Sequence, residues 1–158
     1  MNALAAAGAG FLTAVLWFDL MFDVQVRGHA GDLPAAVLDS IGAYYRRVTT
    51  QASPMSRLIP AVMLVTVLAI VGDMTVGGGP LWIDGPALAL GLSAIGLAMA
   101  RTVRDAVRLG AATDPTPVRS ALARSVWRDH LYCLAAMTAV AALQVAGAVL
   151  ATARHHGL

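Results

Sequence analysis

Four long apolar segments occupy most of this chain, and their length constrains its fold more than any other feature. They cover residues 4–26, 54–76, 80–101 and 130–153. A helix needs about 20 apolar residues to cross a hydrocarbon core of about 30 Å. Because a backbone in lipid must satisfy its own hydrogen bonds, each segment is expected to be a helix. The sequence therefore predicts an all-α integral membrane protein with four spans, in one membrane domain over residues 1–158.

The composition supports a membrane protein and argues against other classes. Only 13% of the residues are charged, whereas an ordinary soluble domain has about a quarter. Every basic residue other than histidine is Arg and every acidic residue is Asp, which is typical of a GC-rich bacterial genome. The single cysteine, Cys133, excludes an internal disulfide. A nucleic-acid binder needs a contiguous basic face, so the expected partner is the lipid bilayer and not a nucleic acid.

The arginines predict the orientation in the membrane. The connectors before span two and before span four carry almost all of them: Arg27, Arg46, Arg47, Arg57, Arg101, Arg104, Arg108, Arg119, Arg124 and Arg128. The middle connector has none. The positive-inside rule places both basic connectors in the cytoplasm. We therefore expect an antiparallel four-helix bundle in a bacterial inner membrane, with the N and C termini outside.

The first connector contains a short pattern at helical spacing. Its apolar stripe consists of Val37, Leu38, Ile41, Tyr44 and Val48. Such a stripe is typical of an amphipathic helix at a membrane surface. The sequence therefore predicts a cytoplasmic amphipathic helix between spans one and two, with Tyr44 and Tyr45 at the depth of the lipid headgroups.

The ends of the later spans also carry signals. The run RTVRDAVRLG is expected to prolong span three until Gly110 ends the helix. The run VRSALARSVWRDH is expected to lead into span four as one helix. Near the opposite surface, Asp84 is expected to cap the helix of span three. Gln144 in span four is expected to make an interhelical hydrogen bond.

The polar residues inside the spans are the best indication of function. Asp19 and Asp23 lie one helical turn apart on one face of span one. Acids in membrane helices are costly and usually have a partner. With the predicted topology, Arg57, Arg101 and His130 lie at the same level of the membrane, together with Arg104. Acidic, basic and titratable side chains should therefore converge at the cytoplasmic end.

Three interpretations of this convergence remain open. In the first, the aspartates pair with Arg57, Arg101 or Arg104 and fix the helix register. In the second, Asp19, Asp23 and His130 are catalytic acid–base groups, and Arg57, Arg101 and Tyr45 bind the substrate. In the third, the two aspartates and His130, with His29, hold Fe, Mn or Zn. No ligand pair has a spacing specific to a metal, so no metal site is predicted, and no cofactor is indicated.

These interpretations lead to three functions. The preferred one is a non-catalytic accessory or scaffold component of the membrane. One alternative is an enzyme acting on a lipophilic, aromatic or quinone-like substrate in a cytoplasm-facing Asp/His/Arg pocket. The other is a small oligomeric transporter coupled through Asp19. Small residues recur along span four at Ala135, Ala139, Ala142 and Ala146, which favours close helix contacts with this chain, a second copy or another membrane protein.

Three sequence runs carry a resemblance to a known family. They are GFLTAVLWFD in span one, YYRRVTTQASP before span two, and RSVWRDHLYCLAAMTAV entering span four. With the plan of four short spans, they resemble the anthrone-oxygenase-like family of small membrane proteins. The resemblance covers nearly the whole chain and implies a lipophilic, polycyclic aromatic substrate, although most members have no established activity. His130 would be the corresponding polar position.

Overall fold

The computed structural model describes residues 1–51, 53–77 and 79–155, and nearly all of them are helical. The helices are α1 (Asn2–Asp23), α2 (Ala35–Arg46), α3 (Ser53–Gly72), α4 (Leu81–Leu97), α5 (Val103–Ala111) and α6 (Thr116–His155). A 3₁₀ turn, Val24–Val26, follows α1. Wider π-helical turns follow α2, α3 and α4 at Arg47–Gln51, Asp73–Gly77 and Ala98–Thr102.

Four helical stretches are long and apolar enough to span a membrane. They are Asn2–Val26, Ser56–Val76, Leu81–Ala111 and Thr116–Ala153. The described residues contain no strand. The prediction of an all-α protein with four candidate spans is therefore confirmed. The last two stretches exceed the predicted spans: α6 alone has 40 residues, or about 60 Å of helix, about twice the thickness of the hydrocarbon core.

Small residues bring the four long helices together. α1 packs against α6 and α3, and α4 packs against α6. Ala5 and Ala9 of α1 and Ala87 of α4 are fully buried at these contacts. Close approach of backbones is what drives helix association in lipid, where hydrophobicity contributes little.

A second layer of helices packs beside one end of the long helices, the end that is predicted to face the cytoplasm. α2 lies against α5 and the first part of α6. Its apolar side chains join a buried cluster formed by Val26, Leu33, Leu38, Ile41, Tyr45, Ala106, Leu109, Leu122, Ala123 and Val126. Tyr45 is therefore buried in protein and does not lie among lipid headgroups as predicted. The apolar face of α2 contacts other helices because α5 extends beyond span three and offers a surface for it.

The run RTVRDAVRLG prolongs span three as predicted, and the helix ends one residue beyond Gly110. α5 continues to Ala111, and Ala112 adopts the left-handed conformation with φ 55°. The absence of a side chain at Gly110 permits close packing. A Cβ atom there would lie only 2.7 Å from the backbone nitrogen of Arg46, so glycine allows α5 and α2 to touch backbone to backbone.

Asp84 does not cap α4, which is a second correction. The residue preceding this helix is Pro80, and Asp84 is completely buried inside the first turns. Nε2 of Gln144 donates a hydrogen bond to Oδ1 of Asp84 at 2.9 Å. The interhelical hydrogen bond expected of Gln144 is thus present, and its partner is the residue expected to be a cap.

Candidate functional site

A buried hydrogen-bonded group forms around Asp23, at the last turn of α1. Oδ2 of Asp23 lies 2.7 Å from Nδ1 of His130 on α6. Oδ1 of Asp23 accepts a hydrogen bond from the hydroxyl of Tyr45 at 2.6 Å. The side chain of Asp23 is only 1% exposed. Both carboxylate oxygens are thus partnered, which is what a buried carboxylate requires, and the imidazole ring is fixed in one orientation.

Asp19 lies one turn deeper on the same face of α1 and completes the site. Its Oδ1 accepts a hydrogen bond from the hydroxyl of Tyr44 at 2.6 Å. Its Oδ2 lies 4.0 Å from Nε2 of His130. His130 therefore has one nitrogen bonded to the buried Asp23 and the other directed toward Asp19. A carboxylate and an imidazole nitrogen face each other across a short gap.

The local structure of α2 explains how two adjacent tyrosines reach two aspartates. Successive residues of a helix point about 100° apart, whereas Asp19 and Asp23 are separated by one full turn along α1. Because α2 lies across the end of α1, Tyr44 meets the deeper carboxylate and Tyr45 the shallower one. Tyr44 also stacks on Phe22, with ring centroids 4.0 Å apart, which fixes the direction of its hydroxyl.

Both tyrosine hydroxyls stay protonated in this setting. Burial raises the pKa of Tyr44, and the neighbouring charge of Asp19 raises it further. Burial, followed by the charge of Asp23, raises the pKa of Tyr45 well above its ordinary value. Each tyrosine therefore acts as a hydrogen-bond donor to its carboxylate and not as an anion.

An ion pair at Asp129, the residue immediately before His130, fixes the helix that carries His130. Asp129 is 2% exposed, and its carboxylate forms a two-pronged pair with the guanidinium of Arg101, whose Nε donates to Oδ2 at 3.0 Å. The hydroxyl of Thr102 also donates to this oxygen at 3.0 Å. Arg101 thus holds the end of span three against α6. The arginine partner foreseen for Asp19 and Asp23 is therefore used by Asp129, while His130 and the tyrosines take its place.

A partly open cavity of about 630 Å³ adjoins Asp19 and His130. Its wall is mainly apolar and comes from α1, α2, α3, α4, α5 and α6. The polar side chains that line it are Asp19, Tyr44, Tyr45, Thr49, Ser56, Thr102, His130 and Cys133. Apolar residues of the wall that are at least half exposed are Phe18, Met99 and Val103. The volume is suited to a molecule of drug size, and Asp19 and His130 both belong to its wall.

The structure brings together some of the predicted site residues and separates others. Asp19, Tyr45 and His130 line the cavity, whereas Asp23 does not and lies behind His130. Arg57 is exposed and is not part of the cavity wall described here. Arg101 is also outside that wall, in its pair with Asp129. The substrate-binding roles predicted for the two arginines therefore receive no support from their positions.

Sequence reasoning missed two members of the site. Tyr44 is predicted to lie at the lipid headgroups, and nothing in the sequence indicates that its hydroxyl bonds Asp19. Asp129 was overlooked because it adjoins arginines in sequence, and a charged connector hides a buried acid. The signal that could have found it is the helical pattern of α6, which places Asp129 on a buried face with Val126.

The described residues contain no group of three or more His, Cys, Asp or Glu side chains that could hold a metal ion. The histidine suggested as a further ligand, His29, is exposed in the first connector, where its Nδ1 lies 3.1 Å from the carbonyl oxygen of Arg27. No contact between His29 and His130 is seen among the described residues.

Comparisons with known proteins find no matching family model, curated protein or solved structure. The resemblance to the anthrone-oxygenase-like family therefore stays a prediction.

Proposed function

We propose that this chain is a membrane enzyme that moves a proton on a lipophilic, aromatic or quinone-like molecule bound in the cavity. The observation that carries the proposal is the pairing of Oδ2 of Asp19 with Nε2 of His130, 4.0 Å apart, at the wall of an apolar cavity. General acid–base chemistry needs proton-carrying groups within hydrogen-bond reach of the substrate and away from bulk water. Asp19 and His130 both line the mainly apolar cavity, which supports such chemistry there.

In the proposed reaction, a proton leaves a C–H or O–H group of the substrate and binds Oδ2 of Asp19. The products of this step are a neutral carboxyl group and a substrate anion. The proton returns from Asp19, or from Nε2 of a protonated His130, which then regains a proton from Asp19 across the gap. Asp23 is a positioning residue, because it orients the imidazole from behind and has no contact with the cavity. Tyr44 holds the other oxygen of Asp19, which leaves Oδ2 directed at the gap.

The proposal includes the predicted topology. We place the four candidate spans in a bacterial inner membrane as an antiparallel bundle, with α2 at the cytoplasmic side and both termini outside. The arginine-rich connectors support this orientation. The cavity then lies near the cytoplasmic surface, and its apolar rim at Phe18, Met99 and Val103 faces hydrocarbon. A lipophilic molecule would enter sideways from the bilayer.

The experiment measures proton exchange on a probe of the proposed class. The protein, reconstituted in nanodiscs in D₂O, is mixed with 2-tetralone, an aromatic ketone with acidic C–H groups, and deuterium uptake is followed by mass spectrometry. We expect the protein to accelerate uptake over empty nanodiscs. Asp19→Asn and His130→Gln should each reduce that acceleration by about 10²-fold or more, because acid–base groups typically contribute 10²–10⁴-fold.

Matched controls come from exposed residues of the first connector. Asp32→Asn and His29→Gln make the same chemical changes outside the cavity and should leave exchange unaltered. Exchange equal to that of empty nanodiscs would contradict the proposal. So would full activity in the folded Asp19→Asn and His130→Gln proteins.

The other two functions make different predictions in the same preparations. A non-catalytic accessory or scaffold component would show no accelerated exchange, and Asp19→Asn would only lower its thermal stability. A transporter coupled through Asp19 would move protons across liposome membranes, and Asp19→Asn would abolish that flux. The apolar cavity beside the acid–base pair favours the enzyme over the scaffold, which does not require it. The exchange and flux measurements separate the enzyme from the transporter, which also needs a cavity.

A further inference from the structure

A second polar cluster lies at the opposite end of the long helices from Asp19 and His130. It contains one oxygen-bearing side chain from each of four segments: Asn2 of α1, Asp73 after α3, Asp84 of α4 and Gln144 of α6. We call it the oxygen cluster. Its members are between 0 and 6% exposed. Burying four polar side chains costs free energy unless each of them finds a hydrogen-bond partner.

The oxygen cluster has fewer hydrogen-bond donors than its acceptor atoms require. Among the described residues, five buried side-chain polar atoms have no hydrogen-bond partner, and four of them are Oδ1 of Asn2, Oδ2 of Asp73, Oδ2 of Asp84 and Oε1 of Gln144. All four are acceptors. An unsatisfied buried acceptor is strongly unfavourable, the more so when it carries charge. A cation or a further hydrogen-bond donor at this place would satisfy them.

The hydrogen bond of Gln144 fixes which of its atoms is free. Its amide lies 2.9 Å from Oδ1 of Asp84. Because a carboxylate only accepts hydrogen bonds, the amide nitrogen must face Asp84, and the oxygen is left without a partner. Gln144 is 0% exposed. A fully buried amide oxygen is therefore held beside the carboxylate.

The two carboxylates share one small space, which the backbone of Gly79 borders. A Cβ atom built on Gly79 would overlap Oδ2 of Asp84 and lie 2.5 Å from Oδ2 of Asp73. Both oxygens therefore lie against the same part of the Gly79 backbone, close enough together for one cation to bond both. Ca²⁺ binds oxygens at 2.3–2.6 Å. Only a residue without a side chain leaves this space open.

The remaining member, Asn2, joins the cluster from α1. Its Nδ2 lies 2.5 Å from the position of a Cβ atom on Gly147, one turn along α6 from Gln144. The only other charged group seen at the cluster among the described residues is the backbone nitrogen of Met1, 3.8 Å from Oδ1 of Asp73. It faces the partnered side of that carboxylate and leaves Oδ2 unsatisfied.

We propose that the oxygen cluster binds a hard divalent cation of the Ca²⁺ class. Two carboxylates balance its charge, and carboxylate and amide oxygens are the ligands that such a cation prefers. A proton shared between Asp73 and Asp84 would satisfy one pair of oxygens and leave both amide oxygens unpartnered. The site is independent of the proposed enzymatic reaction. It ties the ends of α3 and α4 to α6, so the bound cation stabilises the fold.

The test compares melting temperatures of the full chain in dodecyl maltoside, an uncharged detergent. One sample contains 10 mM CaCl₂, and the other contains tetramethylammonium chloride at the same ionic strength. With a dissociation constant of about 10⁻⁴–10⁻³ M, as in weak oxygen sites, Ca²⁺ should raise the melting temperature by roughly 3–10 °C. Equal melting temperatures in the two salts would overturn the proposal.

Two variants separate the site from general effects of Ca²⁺. Asp84→Asn removes one charged ligand and should abolish the shift. Gly79→Ala keeps every ligand, but the new methyl group would displace Oδ2 of both aspartates from the space that they share and should also abolish the shift. Asp32→Asn, which removes an exposed carboxylate, should retain it.

The outcomes of these variants decide the proposal even where one of them does not fold. If Asp84→Asn yields no folded protein, Gly79→Ala alone gives the answer. A Ca²⁺ shift that persists in the folded variants would contradict the proposal, as would a shift that disappears in Asp32→Asn. Stabilisation that depends on acid pH and not on Ca²⁺ would show that the two carboxylates share a proton.

Discussion

At the scale of single residues, Asp23 controls two other side chains through its two oxygens. His130 binds one oxygen at 2.7 Å and Tyr45 the other at 2.6 Å. Because all three groups are buried, the loss of the carboxylate leaves a ring nitrogen and a hydroxyl facing an amide in a site with little access to water. The effect should appear in both stability and the orientation of His130.

Asp23→Asn should therefore lower the free energy of unfolding by about 1–3 kcal/mol. The measurement is SDS-induced unfolding in mixed micelles. Tyr45→Phe in the Asp23→Asn background should cost less than Tyr45→Phe alone, with a coupling energy of about 0.5–3 kcal/mol. The exposed Asp32→Asn should stay within about 0.5 kcal/mol of the parent protein. Additive effects at Asp23 and Tyr45 would contradict this account of the site.

At the scale of helices, the contact between α2 and α5 positions the tyrosines. A Cβ atom on Gly110 would lie 2.7 Å from the backbone nitrogen of Arg46. On the facing helix, a Cβ atom on Gly42 would lie 3.0 Å from the carbonyl oxygen of Leu109. Two glycines thus permit close packing immediately beside Tyr44 and Tyr45. The separation of α2 from α5 sets how far these hydroxyls reach toward α1.

Gly110→Ala should destabilise the protein by about 1–3 kcal/mol, because the new methyl group meets backbone atoms that cannot move independently. In a free helix, the same change is favourable by about 1 kcal/mol. Gly96→Ala is the matched control, since a Cβ atom there meets nothing within 4 Å. SDS unfolding should thus give opposite signs for the two variants. A stabilised Gly110→Ala protein would show that α2 and α5 are not in close contact.

The helices could be predicted from sequence more readily than the contacts between them. Apolar length alone predicts the four candidate spans, because lipid leaves few other options for the backbone. The extension of span three is predictable from the run RTVRDAVRLG, and α5 ends within one residue of Gly110. The sequence does not show that α2 packs against this extension, so it predicts Tyr44 and Tyr45 at the lipid headgroups.

The candidate site was predictable in part, for a physical reason. Acids in a membrane span draw attention because they are costly there, so Asp19, Asp23 and His130 were found. The choice of partner depends on helix rotation, which a chain with arginines at several positions does not reveal. Asp129 takes Arg101, and His130 is thereby left for Asp23.

At the scale of the whole molecule, the proposed topology can be tested independently of function. In a Cys133→Ser background, a single cysteine is introduced at Asp114, between α5 and α6, or at Val76, which is 87% exposed at the other end. A membrane-impermeant maleimide should label the Val76→Cys protein in intact spheroplasts and the Asp114→Cys protein only in inverted vesicles. The reverse pattern would contradict the predicted orientation.

The proposed enzyme requires that a lipophilic molecule can occupy the cavity beside Asp19 and His130. Ala98 lines this cavity, whereas its near neighbour Ala100 is exposed and does not. Ala98→Phe should therefore fill part of the cavity, and Ala100→Phe provides a control on the same turn.

The most direct measurement is photolabelling of the protein in nanodiscs with 3-trifluoromethyl-3-phenyldiazirine, a small lipophilic aromatic probe, followed by mass-spectrometric mapping. We expect labels on residues of the cavity wall such as Met63, Tyr45 and His130. Labelling there should fall severalfold in Ala98→Phe and stay unchanged in Ala100→Phe. Labelling confined to the lipid-facing surface, with none on Tyr45 or His130 in the parent protein, would contradict the proposal.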